Sequence, residues 1–275
     1  MNKKLIVILT LSLTVFLMIS TVNAGVFDIF GGGSDTSNND DTFIVGFNGD
    51  FPPFGYKDSN GEYTGFDIEL AKEVCRRNNW TFKAQPIIDW NTKEAELNSN
   101  AIDCIWSEFT IDGREDDYTW SNPYFNNSQV IVVKSDSGID SLDDLKGKVL
   151  EVQQGNSVLQ AIEENETLKN TFEKINQVDN YNTAFMDLDS GVCDAVIADS
   201  GIANYLAVEK YPKTKVLDEI LSYEKYGVGF KKGNDELRNQ VQKTLDEMFK
   251  DGTVDEIAQN YSAYKIPEGL IYPQN

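Results

Sequence analysis

The sequence predicts an α/β fold organised as two lobes, and three observations support this prediction. Short apolar runs typical of strands alternate with helical patterns, which indicates parallel sheets covered by helices. The alternation passes through two cycles with no long linker between them. With 275 residues, of which 40% are apolar and 25% charged, the chain has the length and composition for two packed units.

The first cycle begins with a strand and a hairpin. Residues 43–47 form an apolar run of strand length, and a proline-rich loop follows it at 48–54. The turn signal Asp58-Ser59-Asn60-Gly61 predicts the hairpin, and apolar residues at every fourth position then predict a helix capped by Asp67. We expect four further elements: strand 81–85, helix 92–99, strand 101–106 and strand 129–134.

The second cycle starts after residue 148 and repeats the same alternation. An amphipathic helix at 235–250, with Leu237, Val241, Leu245 and Met248 on one face, closes the chain's regular pattern. We expect four elements before it: strand 149–153, helix 157–165, strand 194–198 and strand 226–230.

The N-terminal segment has the features of an export signal. Lys3 and Lys4 precede an apolar run at 5–22, and Val22-Asn23-Ala24 supplies the small residues that a signal peptidase reads. Residues 1–24 are therefore predicted to be a signal peptide, although the run could also span a bilayer core of ~30 Å as a retained anchor. The glycine-rich, acidic residues 25–41 predict a flexible tether, so the body should begin near Thr42 and lie outside the cytoplasm.

Composition excludes several classes of function. The 24 basic residues against 45 acidic ones give a net charge of −21, which would repel nucleic acids and anionic membrane surfaces. The chain contains no histidine, which removes Ser-His-Asp and Cys-His catalysis and the commonest transition-metal ligand. We expect no enzyme activity, no metal and no cofactor.

The three cysteines form no CxxC pair. Cys75, Cys104 and Cys193 are predicted to be buried thiols, and a single disulfide between Cys75 and Cys104 remains the alternative.

Residues 65–75 (GFDIELAKEVC) resemble the signature segment of the polar amino-acid family of periplasmic solute-binding proteins, the family of the histidine- and glutamine-binding proteins. The same register aligns five further segments, so the resemblance covers residues 43 to about 265. These segments are 50–54, 107–114, 154–157, 194–199 and 227–230.

The resemblance implies the two-lobed type II periplasmic-binding-protein fold, with crossover strands at 129–134 and 227–230. Lobe 1 would combine residues 42–131 with 228–275, and lobe 2 would be residues 132–227.

The resemblance also implies a site for an α-amino acid. Arg114 matches the arginine that grips the ligand carboxylate, and Asp199 matches the carboxylate that pairs with the ligand ammonium. Phe51 and Trp90 match the aromatic walls around the ligand side chain. Thr110 should offer its hydroxyl and backbone amide, and Ser157 a backbone amide, to the ligand. The predicted set is completed by Ser107, Glu108 and Asn156.

Each assignment has a purely structural alternative. Arg114 could be a solvated charge beside Glu115, Asp116 and Asp117. Ser157 and Asp199 could be helix caps. Phe51 and Trp90 could be ordinary core aromatics. Only four positions separate Thr110 from Arg114, one fewer than in the family pattern, and Gly113 could absorb the shorter turn with a positive φ.

Glu108 departs from the family pattern, which has a small residue at this position. A carboxylate that points into the cleft would favour a ligand with a second positive charge, whereas one that points outward would say nothing about the ligand.

These features predict an extracytoplasmic substrate-binding protein of an ATP-binding-cassette (ABC) transporter for amino acids, a monomer that closes its lobes around the ligand. Its partners would be a free amino acid, cationic if Glu108 points inward, and a permease with its ATPase. The alternative is a cyclohexadienyl (prephenate or arogenate) dehydratase on the same fold, with Glu108 as general acid.

Overall fold

The computed structural model describes residues 41–273. The predicted signal peptide or anchor and the predicted tether up to residue 40 lie outside the described residues. From residue 41 to residue 273, no helix has both the length and the apolar composition needed to cross a membrane.

Two five-stranded sheets organise the described chain, and a two-stranded hairpin accompanies them. The spatial order of the first sheet is β4 (Thr81–Pro86), β1 (Thr42–Phe47), β5 (Cys104–Ile105), β12 (Gly229–Phe230) and β6 (Thr119–Trp120). In this sheet β1 lies parallel to β4 and β5, and β12 runs antiparallel to β5 and β6. The hairpin consists of β2 (Tyr56–Lys57) and β3 (Tyr63–Thr64), at the predicted turn.

The spatial order of the second sheet is β11 (Thr214–Tyr226), β7 (Phe125–Lys134), β10 (Ala195–Asp199), β8 (Val149–Gln153) and β9 (Lys174–Val178). In this sheet β7 runs antiparallel to both β10 and β11, and β8 lies parallel to β9 and β10. The apolar sequence of β10, AVIAD, explains why this buried strand lies at the centre of the sheet.

Helices follow most strands and cover the sheets. They are α1 (Phe66–Asn78), α2 (Lys93–Asn98), α3 (Val158–Glu164), α4 (Glu166–Lys169), α5 (Tyr181–Ser190), α6 (Ser200–Glu209), α7 (Asp235–Asp251) and α8 (Thr253–Gln259). Short 3₁₀ helices occur at Trp90–Thr92, Leu142–Leu145, Ser262–Tyr264 and Ile266–Gly269.

The chain passes between the two sheets at residues 121–124 and 227–228. The predicted lobe boundary at residue 131 therefore falls inside β7, which belongs to the second sheet along its whole length. The strand begins as early as Phe125 because Phe125 pairs with Tyr226 at the end of β11. Phe54 packs against both rings, with centroids 5.3 and 5.6 Å away, so an aromatic cluster supports this passage.

Helix α1 starts differently from the prediction. Gly65, not Asp67, occupies the cap position, with a φ of 123° that favours glycine. A Cβ at this residue would also lie only 2.2 Å from the Phe54 carbonyl oxygen. Asp67 instead turns inward: its Oδ1 accepts from the Tyr124 hydroxyl at 2.7 Å and its Oδ2 from the Glu108 amide at 2.7 Å.

The three cysteines are free and buried, as predicted, so the alternative disulfide between Cys75 and Cys104 is not formed. Burial raises the pKa of the Cys75 and Cys193 thiols to about 12, which keeps both in the unreactive neutral form.

Candidate ligand site

A small cavity lies between loops of the first sheet and loops of the second, and eight of the nine predicted site residues line it. Its free volume is about 30 Å³, and it shares four lining residues with a larger space described below. The predicted residues that line it are Phe51, Trp90, Glu108, Thr110, Arg114, Asn156, Ser157 and Asp199. Ser107, the ninth, lies directly behind the wall, where its hydroxyl accepts from the Asn48 amide at 2.9 Å.

Arg114 reaches the cavity from the turn that follows Thr110, and Gly113 has the predicted positive φ, 78°. The guanidinium donates to two carbonyl oxygens, that of Thr110 at 3.2 Å and, weakly, that of Gly155 at 3.5 Å. None of the ion pairs within residues 41–273 involves Arg114, despite three adjacent carboxylates. Its remaining N–H donors are therefore uncommitted.

Asp199 ends β10 and is only 4% exposed. It stands at the N-cap position of α6, but its side chain caps nothing, so the capping alternative is wrong. Its carboxylate has no cationic partner in the described chain; it is held by neutral donors. These are, with distances to Asp199, Asn127 at 2.7 Å, Gln129 at 2.9 Å, Tyr226 at 2.6 Å, Asn156 at 3.1 Å and Tyr181 at 3.2 Å.

A second buried carboxylate, Glu224, lies beside Asp199 and was not predicted. The amides of Asn127 and Gln129 donate to Glu224 Oε1 at 2.6 and 2.7 Å while they also donate to Asp199. Burial, and then the negative charge of Glu224, raises the pKa of Asp199 above its ordinary value.

The hydroxyls of Thr110 and Ser157 both donate to Glu224 Oε2, the former at 3.0 Å. Glu224 thus takes the Thr110 hydroxyl proton in this structure, and the predicted offer of the Thr110 hydroxyl and backbone amide to a ligand stays a prediction. Ser157 makes no capping hydrogen bond to α3, so its capping alternative is also wrong.

Glu108 points inward. It is 9% exposed and lines the cavity, with a φ of 40° that is strained for a residue with a side chain. Its Oε2 accepts from the Ser107 hydroxyl at 2.6 Å, whereas its Oε1 accepts no hydrogen bond from the described residues. Burial, and then the charge of Asp67, raises the pKa of Glu108 well above its ordinary value.

The two predicted aromatic walls differ in how deeply they are buried. Phe51 is fully packed, edge-on to Tyr181 with centroids 5.5 Å apart, so it is both a core residue and a cavity wall. Trp90 is half-buried and packs edge-on against Phe109 at 5.9 Å.

A larger chamber of about 540 Å³ continues from the cavity toward the surface. Asn48, Trp90, Gln153 and Gln154 line both spaces. Gln153 is 8% exposed; its side-chain Nε2 donates to the Asp179 carbonyl at 3.3 Å, and its side-chain Oε1 accepts nothing within the described residues. The inner cavity thus opens outward past a buried amide.

One cationic side chain, Arg114, and two acidic side chains, Glu108 and Asp199, line the cavity. Such a cavity can bind a molecule that carries a carboxylate at one end and N–H groups at the other. The part of the chain that the structure describes contains no group of three or more Cys, Asp or Glu side chains placed to hold a metal ion.

Residues 43–264 match the bacterial extracellular solute-binding proteins, family 3. The chain belongs to this family. The L-cystine-binding protein TcyJ of Escherichia coli K12 is 30% identical to it, over 80% of this chain and 82% of the relative. The lysine/arginine/ornithine-binding periplasmic protein of the same organism is 29% identical, over 82% and 89% respectively.

Among solved structures, a substrate-binding protein of an ABC uptake transporter from Streptococcus pneumoniae, with bound histidine, superposes with a TM-score of 0.76. It is 36% identical and the match covers 80% of this chain and 92% of that one. The predicted two-lobed periplasmic-binding-protein fold of this solute-binding family member is thereby confirmed.

Proposed function

We propose that the protein is the extracytoplasmic substrate-binding component of an ABC transporter for amino acids. One observation carries the proposal: an uncommitted guanidinium and two buried carboxylates without cationic partners face one cavity. An α-amino acid supplies the two missing charges in a single molecule, because its carboxylate suits Arg114 and its ammonium suits Asp199.

The remaining predicted residues shape the space between these two charges. Phe51 and Trp90 form apolar walls from the first sheet, and Asn156 and Ser157 approach from the second. The names of the relatives support an amino-acid ligand, since the proteins reported above bind cystine, basic amino acids or histidine.

The ligand should carry a second positive charge. Glu108 adds a carboxylate whose Oε1 is free, so the cavity walls hold two negative groups against one guanidinium. A neutral amino acid would leave one of these carboxylates buried without a partner, which costs free energy. Lysine, arginine, ornithine and protonated histidine fit the charge count.

Closure of two lobes, one around each sheet, would complete the cage. Arg114 reaches the carbonyl of Gly155 and Phe51 contacts Tyr181, so both sheets contribute to the walls. A ligand that contacts both sides favours the closed arrangement by its differential affinity, and a membrane permease with its ATPase can recognise that state. We propose that the protein acts as a monomer outside the cytoplasm.

The dehydratase alternative is not favoured. Prephenate carries two carboxylates, and Glu108, Asp199 and Glu224 would repel the second one at short range. The relatives reported above are all named as binding or substrate-binding proteins.

A thermal-shift screen of the purified, ligand-stripped chain tests the proposal. At 100 times Kd a ligand stabilises the folded state by about 2.7 kcal/mol. We expect this shift with a basic amino acid, a smaller one with glutamine or cystine, and none with prephenate or arogenate. The variant Glu108→Gln should retain binding but lose most of the preference for basic ligands. A shift only with prephenate or arogenate, or no shift with any amino acid, would refute the proposal.

A further inference from the structure

Glu224 does not line the ligand cavity, yet its carboxylate contacts four side chains, and two of them, Thr110 and Ser157, line that cavity. It projects from β11 just before the chain returns to the first sheet and is 5% exposed. Asn127 and Gln129 hold its Oε1, and Thr110 and Ser157 approach its Oε2. Glu224 therefore links the side-chain amides of Asn127 and Gln129 to the hydroxyls of Thr110 and Ser157.

All four contacts donate hydrogen bonds to Glu224. A carboxylate has only acceptor atoms, and the two amide nitrogens can only donate. A hydroxyl has one proton, so Thr110 and Ser157 each give theirs to Oε2. Each of these two hydroxyls then has only its oxygen lone pairs left, so it can accept a hydrogen bond from another partner but cannot donate one.

Both hydroxyl residues line the cavity. With their protons directed at Glu224, the two hydroxyls present acceptors to a ligand and no donors. The cavity is also lined by Glu108, whose Oε1 is free, by Asp199, and by Gln153, whose side-chain Oε1 accepts no hydrogen bond from the described chain. Besides the Arg114 guanidinium and the side-chain amide of Asn48, the cavity therefore contains several acceptors.

We propose that Glu224 is a positioning residue for specificity: by taking the Thr110 and Ser157 hydroxyl protons, it makes the cavity select ligands rich in N–H donors. Ammonium and guanidinium groups carry only donors and match such a wall. A ligand with an amide side chain would instead place its own acceptor oxygen against the lone pair of a hydroxyl, and two acceptors form no hydrogen bond with each other. This inference rests on the proposed function, because it assumes an amino-acid ligand.

The test is a comparison of ligand classes by titration calorimetry on the full chain. Affinities for arginine and lysine, and for the neutral glutamine, are measured in wild type, in Glu224→Gln and in Glu173→Gln, an exposed control whose side chain makes no hydrogen bond to any other residue of 41–273. In Glu224→Gln the new amide group donates to one hydroxyl and turns that hydroxyl's proton toward the cavity. We expect the ratio of basic-ligand to glutamine affinity to fall at least tenfold, with the glutamine affinity changed less than about threefold.

Two further variants separate polarity from charge. Thr110→Val and Ser157→Ala each remove one acceptor but leave the negative charge of Glu224 in place, and each should lower the same ratio. If neither changes the ratio while Glu224→Gln lowers it, Glu224 acts through its charge alone and the proposal is wrong. Equal losses for both ligand classes in all three variants would also overturn it.

If Glu224→Gln does not fold, the two hydroxyl variants decide the question by themselves. Failure of the proposed function is distinguishable, because wild-type protein would then bind none of the three amino acids.

Discussion

Two arginines of this chain, Arg77 and Arg114, show how a side chain that serves the fold differs from one available to a ligand. Arg77 donates from Nε to Glu73 at 2.7 Å, from Nη1 to Asp251 at 2.8 Å and from Nη2 to Thr253 at 2.8 Å. Arg114 has three carboxylates immediately after it in the sequence and pairs with none of them. The donors of Arg77 are committed to the fold, and most of those of Arg114 are not.

The same contrast separates buried carboxylates. Both oxygens of Asp67 accept hydrogen bonds, and the residue does not line the cavity, so its role is to fix the loop that contains Glu108. Glu108 and Asp199 line the cavity and have no cationic partner in the described chain. Burial of these charges raises the free energy of the empty site, and a cationic ligand can recover part of that cost.

The largest expected effect is that of Arg114→Ala on ligand affinity. Removing one partner of a buried, hydrogen-bonded charge pair costs 2–5 kcal/mol, roughly 30- to 4,000-fold in Kd. We expect this loss for the best ligand of the screen, with a free energy of unfolding close to that of wild type, because the Arg114 guanidinium makes no ion pair within residues 41–273 and contacts only two carbonyl oxygens and the ring of Phe109. Titration calorimetry and chemical denaturation measure the two quantities. Retained affinity, or a loss of stability as large as the loss of binding, would contradict the assignment.

The pH dependence should run in opposite directions for binding and for ligand-free stability. Burial raises the pKa of Asp67 to about 7 and also raises those of Glu108 and Asp199. The folded chain then keeps protons that the unfolded chain releases near pH 4, so this contribution to stability is present at pH 4 and is lost as pH rises toward 7.

A cationic ligand requires the ionised carboxylates. Its affinity should therefore rise with pH over the same interval, by up to tenfold per pH unit for each proton released. Melting temperatures of the ligand-free chain and Kd values between pH 5 and 8 provide the check. Affinity that is independent of pH would show that no wall carboxylate changes protonation when the ligand binds.

The sequence predicted the parts of the site that depend on local pattern. The strand that ends at Asp199 is readable from its own apolar run. The aromatic walls at Phe51 and Trp90, the turn at Gly113 and the convergence of these segments on one cavity needed the family resemblance, because the segments lie far apart in the chain.

The polar floor of the site could not be predicted in the same way. The pairing of β7 with β11 is what brings Asn127 and Gln129 into contact with Glu224. These residues are about 100 positions apart in the sequence, so no local pattern predicts the contact. A signal was available: Asn127 and Gln129 lie two positions apart on one face of a strand whose residues 130–133 are all apolar, and such amides are unusual at buried positions unless they are hydrogen-bonded. Asp67 misled for a related reason, since an acidic residue at a helix start fits a cap equally well.

The smallest effect is expected for Arg77→Ala, and it completes the comparison of the two arginines. The side chains of Arg77 and Glu73 are 19% and 17% exposed and that of Asp251 is 49% exposed, so these ion pairs are partly screened by solvent. The variant should lose about 1 kcal/mol of stability and no ligand affinity. Because Arg77 and Arg114 share no contacts, the double variant should show the sum of the separate losses, measured by denaturation and calorimetry. A coupling above about 0.5 kcal/mol would mean that the surface network supports the cavity, and the division between committed and available arginines would not hold.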